Sequence, residues 1–324
     1  MTSGPVNMAA RYISLGIIID DIVFPDGRTQ TGVLGGGGPQ TVWGMALAAG
    51  SGWEVGLVAG VGADFDSRAL APLEAMGIDL SGVHATDLPT PRAWQYLGSD
   101  GSRQHVWQVD QATSDRQTHP DWETIARFYP HPQVVHWGIH PEDAYLAICP
   151  PLRARNALIS IEPFKGLEEP LPDNALQAVL TQCDIFSPNG EEAASIFGTT
   201  DMQALLRRFR ALGGHILALR QGAQGAEVWD LRSGTGVQVP AAPTRGVVDP
   251  VGAGDAFCGA FAVTLHRTGD LMEAAAQASV AASYLVEQVG LPPAPPESTD
   301  AQRRKQAVLA GARRLALQSP IADP

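Results

Sequence analysis

Two glycine-rich segments hold the residues of this sequence that could do chemistry. The first, Asp249-Pro-Val-Gly-Ala-Gly-Asp255-Ala-Phe-Cys-Gly-Ala, follows Gly246-Val-Val and leads into an apolar stretch at helical spacing. Small residues at Gly252, Ala253 and Gly254 let the backbone turn sharply and leave consecutive N–H groups uncovered at a helix N-terminus, where an oxyanion would sit well. Asp255 falls in the first helical turn, beside any phosphate held by those amides. A carboxylate so placed can accept a proton from an attacking hydroxyl while the amides stabilise charge on the transferred phosphoryl group. The same spacing also suits a plain tight turn closed by an N-terminal acid. The segment is not a Walker loop, since no G-x-x-x-x-G-K-[ST] occurs in the chain, and it lacks the G-x-G-x-x-G spacing of dinucleotide folds.

The second segment is Gly35-Gly-Gly-Gly38-Pro39-Gln40-Thr41, entering Val42-Trp-Gly-Met-Ala-Leu-Ala-Ala-Gly50. A glycine run lets backbone approach a ligand closely, and Gln40 at the helix start offers both a donor and an acceptor to a polyol. A flexible linker into the helix is the alternative reading.

The elements that must position these segments follow from the hydrophobic pattern. Short apolar runs at Tyr12–Ile19, Val55–Ala59, Val134–Ile139, Ala157–Ile161, Cys183–Phe186, Ile216–Arg220 and Ala226–Trp229 read as strands. They alternate with helical stretches at Thr41–Ala49, Ser67–Met76, Glu191–Phe197, Met202–Leu212, Ala256–His266 and Leu271–Glu287. That rhythm predicts an α/β fold with a parallel sheet covered by helices and a ligand site at the carboxyl ends of the strands. Ile22–Leu34 and Thr90–Asp110 break it with polar, alternating, turn-rich sequence, and Gly98-Ser99-Asp100-Gly101 is a hairpin signal. They predict a small β structure inserted in a single domain spanning 1–324, either covering the site as a lid or forming an edge hairpin. Leu291–Pro296 reads as a stiff connector before a last helix at Ala301–Gln318.

Composition narrows the function classes. Among 324 residues, 22 Lys+Arg stand against 34 Asp+Glu, a net charge of −12 that argues against a nucleic-acid partner. Cys149, Cys183 and Cys258 lie far apart, so neither a disulfide framework nor a structural zinc site is expected. The apolar stretch near the start is too short for a signal sequence or a membrane span, and the expected compartment is the cytoplasm.

The two glycine segments, in this order and separation, resemble the two signatures of the ribokinase-like PfkB carbohydrate kinase family. LGIIIDD resembles its first strand, Val55–Val83 its Gly-x-Asp block, SPNGEEAASIFG its Asn-x-x-Glu block, RQGAQGAEVW its nucleotide-side Gly-x-x-Gly block, and DPVGAGDAF its closing signature. The resemblance implies a three-layer ribokinase-like fold with about eight mostly parallel strands and a β lid. It also implies ATP-dependent phosphorylation of a hydroxyl on a small sugar or sugar-like metabolite. By the same resemblance Asp255 is the catalytic base, and Gly252, Ala253 and Gly254 form the anion hole. Asp21, at the end of the first strand, Gly36, Gly37 and Gln40 face the substrate, Arg220, Gly222 and Gly225 the nucleotide, and Asn189 and Glu192 organise Mg2+. Asn189 and Glu192 stand at i and i+3 where a strand enters a helix, which also suits a capping box. Asp249 leaves room for a monovalent cation, and exposed lid edges suit a homodimer through the lid.

Departures from the family pattern bear on the substrate. Pro39-Gln40 stands where Asn is frequent, Gly37 where Lys is frequent, and Pro250-Val251 where Thr-Thr is frequent. Glu162-Pro163 falls near where a polar residue facing nucleotide or substrate is expected, and His140 ends a strand where a substrate could be touched. A nucleoside kinase of the same fold and a non-catalytic regulator are the rival readings. His136 and His140 lie four apart in a strand, roughly 13 Å along the chain, which does not suit shared zinc ligation. Cys258, three after Asp255 on an apolar helix, reads as a packed small side chain.

Overall fold

The computed structural model describes residues 10–98 and 103–317. Its strands in chain order are β1 (Tyr12–Leu15), β2 (Ile18–Val23), β3 (Thr29–Gly35), β4 (Val55–Val61), β5 (Val83–Ala85), β6 (Arg92–Leu97), β7 (Arg103–Trp107) and β8 (Val134–Ile139). They continue with β9 (Leu158–Pro163), β10 (Ile185–Phe186), β11 (Ile216–Arg220), β12 (Ala226–Asp230), β13 (Thr235–Val239) and β14 (Arg313–Ala316). Five helices carry the argument below: α1 (Gly38–Ala49), α2 (Gly190–Phe197), α3 (Ala253–Thr268), α4 (Leu271–Leu285) and α5 (Ser298–Gly311).

The main sheet has ten strands in the order β14-β13-β12-β11-β10-β9-β8-β1-β4-β5. From β5 to β11 every neighbouring pair is parallel, and β12, β13 and β14 extend the edge antiparallel. The sheet is thus mostly parallel, as expected, but larger than eight strands. Its extra edge strand corrects the last helix predicted at Ala301–Gln318: α5 ends at Gly311, and Arg313–Ala316 pairs with β13 instead. Gln318 lies outside the described residues.

Because strand side chains alternate, the sheet fills two cores. Tyr12, Leu57, Ile185, Ala218 and Val228 pack under Trp43 of α1, Phe257 and Phe261 of α3 and the alanine-rich α4. Ile13, Val135, Ile159, Phe186 and Leu217 face the opposite layer, with Leu176, Ile196 and Phe209. On the first face α1 and α3 meet backbone to backbone. A Cβ on Gly44 would lie 2.2 Å from the Ala256 carbonyl oxygen, and one on Gly259 2.2 Å from that of Thr41. Only glycine permits this approach, which draws the N-termini of both helices together.

The run Tyr12–Ile19, read as one strand, is two. At Gly16, with φ 84°, the chain leaves β1 and enters β2 of a second sheet, ordered β3-β2-β6-β7. Asp21 therefore lies on β2 in the small sheet rather than at the end of the first main-sheet strand. The lid segments expected at Ile22–Leu34 and Thr90–Asp110 form this sheet, with β2 beginning at Ile18. Strands β6 and β7 pair antiparallel from Ala93↔Trp107 to Leu97↔Arg103, a hairpin whose predicted turn residues Ser99, Asp100 and Gly101 lie outside the described residues. Among the described residues no helix is long and apolar enough to cross a membrane.

Candidate active site

The site forms where the N-termini of α1 and α3 converge at the carboxyl ends of the parallel strands. The loop before α3 is fixed from two sides: Val248 N–H and Asp249 N–H donate to the Val286 carbonyl (2.7 and 3.3 Å), and Asp249 Oδ1 accepts from Val251 N–H (3.0 Å). Gly252 caps α3 with φ 77°, and the first intrahelical bond runs from Ala256 N–H to the Gly252 carbonyl. Ahead of it Ala253 N–H makes a long bond to the Pro250 carbonyl (3.4 Å), and these first-turn amides lie at the helix's positive end.

Asp255 stands in that first turn, and its carboxyl faces the other glycine segment. A Cβ on Gly37, whose φ is 78°, would lie 2.6 Å from Asp255 Oδ1. Next to it Gln40 packs on the cap, since a Cβ on Gly252 would lie 2.5 Å from Gln40 Cγ. Gln40 Nε2 donates to the Leu34 carbonyl (2.9 Å), while its Oε1 is buried with no partner among the described residues. Gly36, with φ 91°, closes on Ile18. The structure thus brings Gly36, Gly37, Gln40, Gly252, Ala253, Gly254 and Asp255 together.

Asp21 is buried in the small sheet. Its Oδ1 accepts from Gly32 N–H (2.9 Å), its Oδ2 from Gln108 Nε2 (3.0 Å), and Arg92 stands 3.7 Å away. Its neighbour Asp20 turns to the glycine run: a Cβ on Gly35 would lie 2.0 Å from Asp20 Oδ2.

Asn189 and Glu192 form a reciprocal capping box at the start of α2. Asn189 Oδ1 accepts from Glu192 N–H (2.9 Å), and Glu192 Oε2 accepts from Asn189 N–H (2.7 Å). Burial pushes the Glu192 carboxyl up to about 7 despite the nearby Arg220 guanidinium.

Arg220 does not extend toward solvent from the end of β11 but turns inward. Nη1 bonds Glu162 Oε2 (2.9 Å), and Nη2 bonds the Ser187 carbonyl (2.8 Å) and Glu192 Oε2 (3.3 Å). The guanidinium also presses on the anion-binding turn, for a Cβ on Gly254 would lie 1.9 Å from Nη1. Gly222 starts a short 3₁₀ turn after β11, and Gly225, with φ 95°, lies so close to the Val239 carbonyl that a Cβ would sit 2.0 Å from it.

Beneath this lies a polar layer built on Glu162, expected near a nucleotide- or substrate-facing position, with His136 and Cys258, which sequence reasoning did not place in the site. Glu162 Oε1 accepts from His136 Nε2 (3.0 Å), His136 Nδ1 lies 2.9 Å from Ser160 Oγ, and the Cys258 thiol donates to Glu162 Oε2 (3.3 Å). Ligand atoms of His136, Glu162 and Cys258 fall within 4.8 Å of one another. A cation among them would lie against the Arg220 guanidinium already bonded to Glu162, so the trio is a hydrogen-bonded cluster rather than a metal centre. Burial, and then the nearby Glu162 carboxylate, push the Asp255 carboxyl well above the usual range against the pull of Arg220. Glu162 goes the other way: burial opposes its charge, but Arg220 and His136 hold it down to about 2. The one sequence signal for this layer was an acid following the apolar run Ala157–Ile161; the register that sets His136 opposite Ser160 and Gly138 opposite Glu162 comes from the fold.

With this geometry in view, comparison with known proteins is decisive. The sequence model of the pfkB family carbohydrate kinases matches residues 12–297. The chain belongs to that family. Among pfkB relatives it is 28% identical over 259 residues to cytidine kinase of Thermococcus kodakarensis, covering 79% of this chain and 88% of the relative. It is 26% identical over 306 residues to nucleoside kinase of Methanothermobacter thermautotrophicus, covering 92% and 94%. The ribokinase of Arabidopsis thaliana complexed with ribose and ATP superposes with a TM-score of 0.70 over 92% of this chain and 99% of that one, at 22% identity. That likeness bears on the fold, and it matches the mostly parallel sheet and small second sheet seen here.

Proposed function

We propose that this pfkB kinase transfers the terminal phosphoryl group of ATP to a hydroxyl of a small sugar or sugar-like metabolite, with Asp255 as general base. One observation carries the reading: the Asp255 carboxyl sits at the positive end of α3 and faces Gly37 of the second glycine segment. An alcohol lying over Gly36 and Gly37 is within reach of Asp255, and a phosphoryl group gripped by the amides of Gly252, Ala253 and Gly254 is presented to it. As the hydroxyl attacks, its proton passes to the carboxylate, and charge on the migrating group is met by the helix terminus and Arg220. The raised proton affinity of Asp255 makes its carboxylate, once ionised, a stronger base for the alcohol's proton.

The orphan Oε1 of Gln40 accepts a bond from a second acceptor hydroxyl, which orients the first. Asp21 ties the lid strands and reaches the acceptor by exchanging Gly32 or Gln108. Arg220, Gly222 and Gly225 lie on the nucleotide side. The capping box engages Asn189 Oδ1 and Glu192 Oε2 and leaves Glu192 Oε1 to hold magnesium through water, a fit with an ion that keeps much of its hydration. Magnesium would supply neutralisation of the polyphosphate charge. Closure of the small sheet over the acceptor would exclude water and limit ATP hydrolysis.

The cytidine and nucleoside kinase relatives, matched over 88% and 94% of their lengths, favour a nucleoside ribose as the acceptor over a free sugar. The test is a panel of free sugars, nucleosides and polyols scored by ADP release with magnesium present. Acceptor-dependent turnover supports the reading. ATP binding without turnover on any member would point to a regulator that kept the fold.

A further inference from the structure

Glu162 is 4% exposed, next to the last residue of a strand covered on both faces. A buried carboxylate at such a place is costly unless fully bonded. Here Oε1 takes His136 Nε2–H, and Oε2 takes Arg220 Nη1–H and the Cys258 thiol. The other ring nitrogen, His136 Nδ1, lies 2.9 Å from Ser160 Oγ, and Ser14 Oγ donates to the His136 carbonyl (2.9 Å). The Glu162 carboxylate thus lies against the first turns of α3, between the thiol of Cys258 and the Arg220 guanidinium that presses on Gly254 beside Asp255.

We propose that Glu162, gripped by His136, is a positioning residue that braces Arg220 against the anion-binding turn beside Asp255. This rests on the reading of Asp255 as the base. The geometry has a chemical consequence. A negative charge held there adds to burial in opposing ionisation of Asp255. The charged and titratable groups on this side of Asp255 are Glu162 from β9, Arg220 from β11 with Glu192 of α2 behind it, His136 from β8 behind Glu162, and Cys258 from α3 itself. Asp255 must be ionised before it can take the alcohol's proton, so the charge held at Glu162 raises the pH at which the enzyme becomes active.

The test measures kcat/KM against pH for wild type, Glu162→Gln and His136→Asn, with Asp255→Asn as reference. Removing the charge at 162 leaves Arg220 to act on Asp255 alone and lowers its proton affinity. The acid limb of the Glu162→Gln profile is therefore expected to move down by about one pH unit or more. Its plateau kcat should fall by roughly 10- to 100-fold, with the KM for ATP changed by less than about threefold. His136→Asn should shift the limb in the same direction by less. A residue that only supported the fold would lower the melting temperature and leave the limb in place, and that result would overturn the proposal. Carboxyl 13C NMR of wild-type protein, with Asp255 assigned by difference from Asp255→Asn, keeps the question open to measurement if the variants do not fold. A protonated Asp255 at a pH where free aspartate is ionised supports the proposal, and ordinary aspartate titration refutes it. Full activity of Asp255→Asn would instead remove the base itself, so the two failures are distinct.

Discussion

Replacing Gly37 by alanine puts a methyl group where the two halves of the site meet. With φ at 78°, the substitution strains the backbone by about 1–2 kcal/mol. The new Cβ would lie 2.6 Å from Asp255 Oδ1, and the carboxyl must retreat by about 0.8 Å to reach an ordinary 3.4 Å contact. Displacement of a reacting group by that much costs on the order of 10- to 100-fold in rate. Steady-state ADP release should therefore show kcat reduced by roughly that factor, with the Kd for ATP, measured by calorimetry, changed by less than about threefold. The strain alone should lower Tm by roughly 2–4 °C. Gly27→Ala separates the two effects, because Gly27 has nearly the same φ, 83°, and nothing within 4 Å of the added Cβ. It should cost similar stability and leave kcat unchanged. If Gly37→Ala turns over at the wild-type rate while melting lower like Gly27→Ala, the carboxyl does not face the acceptor across Gly37 and the reasoning is refuted.

Gln40→Leu removes the orphan acceptor while keeping bulk against Gly252, and should raise the acceptor KM roughly 10- to 100-fold with ATP affinity preserved; an unchanged acceptor KM would take Gln40 out of the substrate pocket. Glu192, raised by burial to about 7 from an ordinary 4.5, favours the folded state below pH 4.5, and that contribution is lost as pH climbs through 7. The Tm of Glu192→Gln, measured without nucleotide, should accordingly gain on wild type from pH 4.5 to above 7, and a flat difference would contradict burial as the cause. Glu162, held down to about 2, has the opposite sign: its contribution is present above pH 4.5 and lost as the pH falls toward 2, so Glu162→Gln should flatten that acid loss of Tm.

The parallel sheet and both glycine segments were legible because each rests on local pattern: apolar runs buried on both faces, and small residues where a helix begins. The break between β1 and β2 was not, since Leu15-Gly16-Ile17 is apolar on both sides and only the positive φ of Gly16 turns the chain into another sheet. Strand β14 was misread as helix because Arg313-Arg-Leu-Ala316 is good helical sequence, overridden by pairing with an edge strand. Within the site, the spacing around Asp255 and Gln40 left a tight turn and a linker open, and it was the family resemblance that singled them out. The inward turn of Arg220 could not be read from either, as it depends on Glu162, which lies 58 positions earlier in the chain and two strands away. Asn189 and Glu192 illustrate a third case: both sequence readings, a cap and a metal pair, use the same i, i+3 geometry, and the structure contains the cap.

The most direct measurement is single-turnover phosphoryl transfer by Asp255→Asn at saturating ATP and magnesium, with the best acceptor from the panel, alongside calorimetric ATP binding. The account predicts nucleotide affinity within a few-fold of wild type and a transfer rate lower by about 10²–10⁴-fold. Transfer at the wild-type rate, with Asp255 replaced, would contradict it.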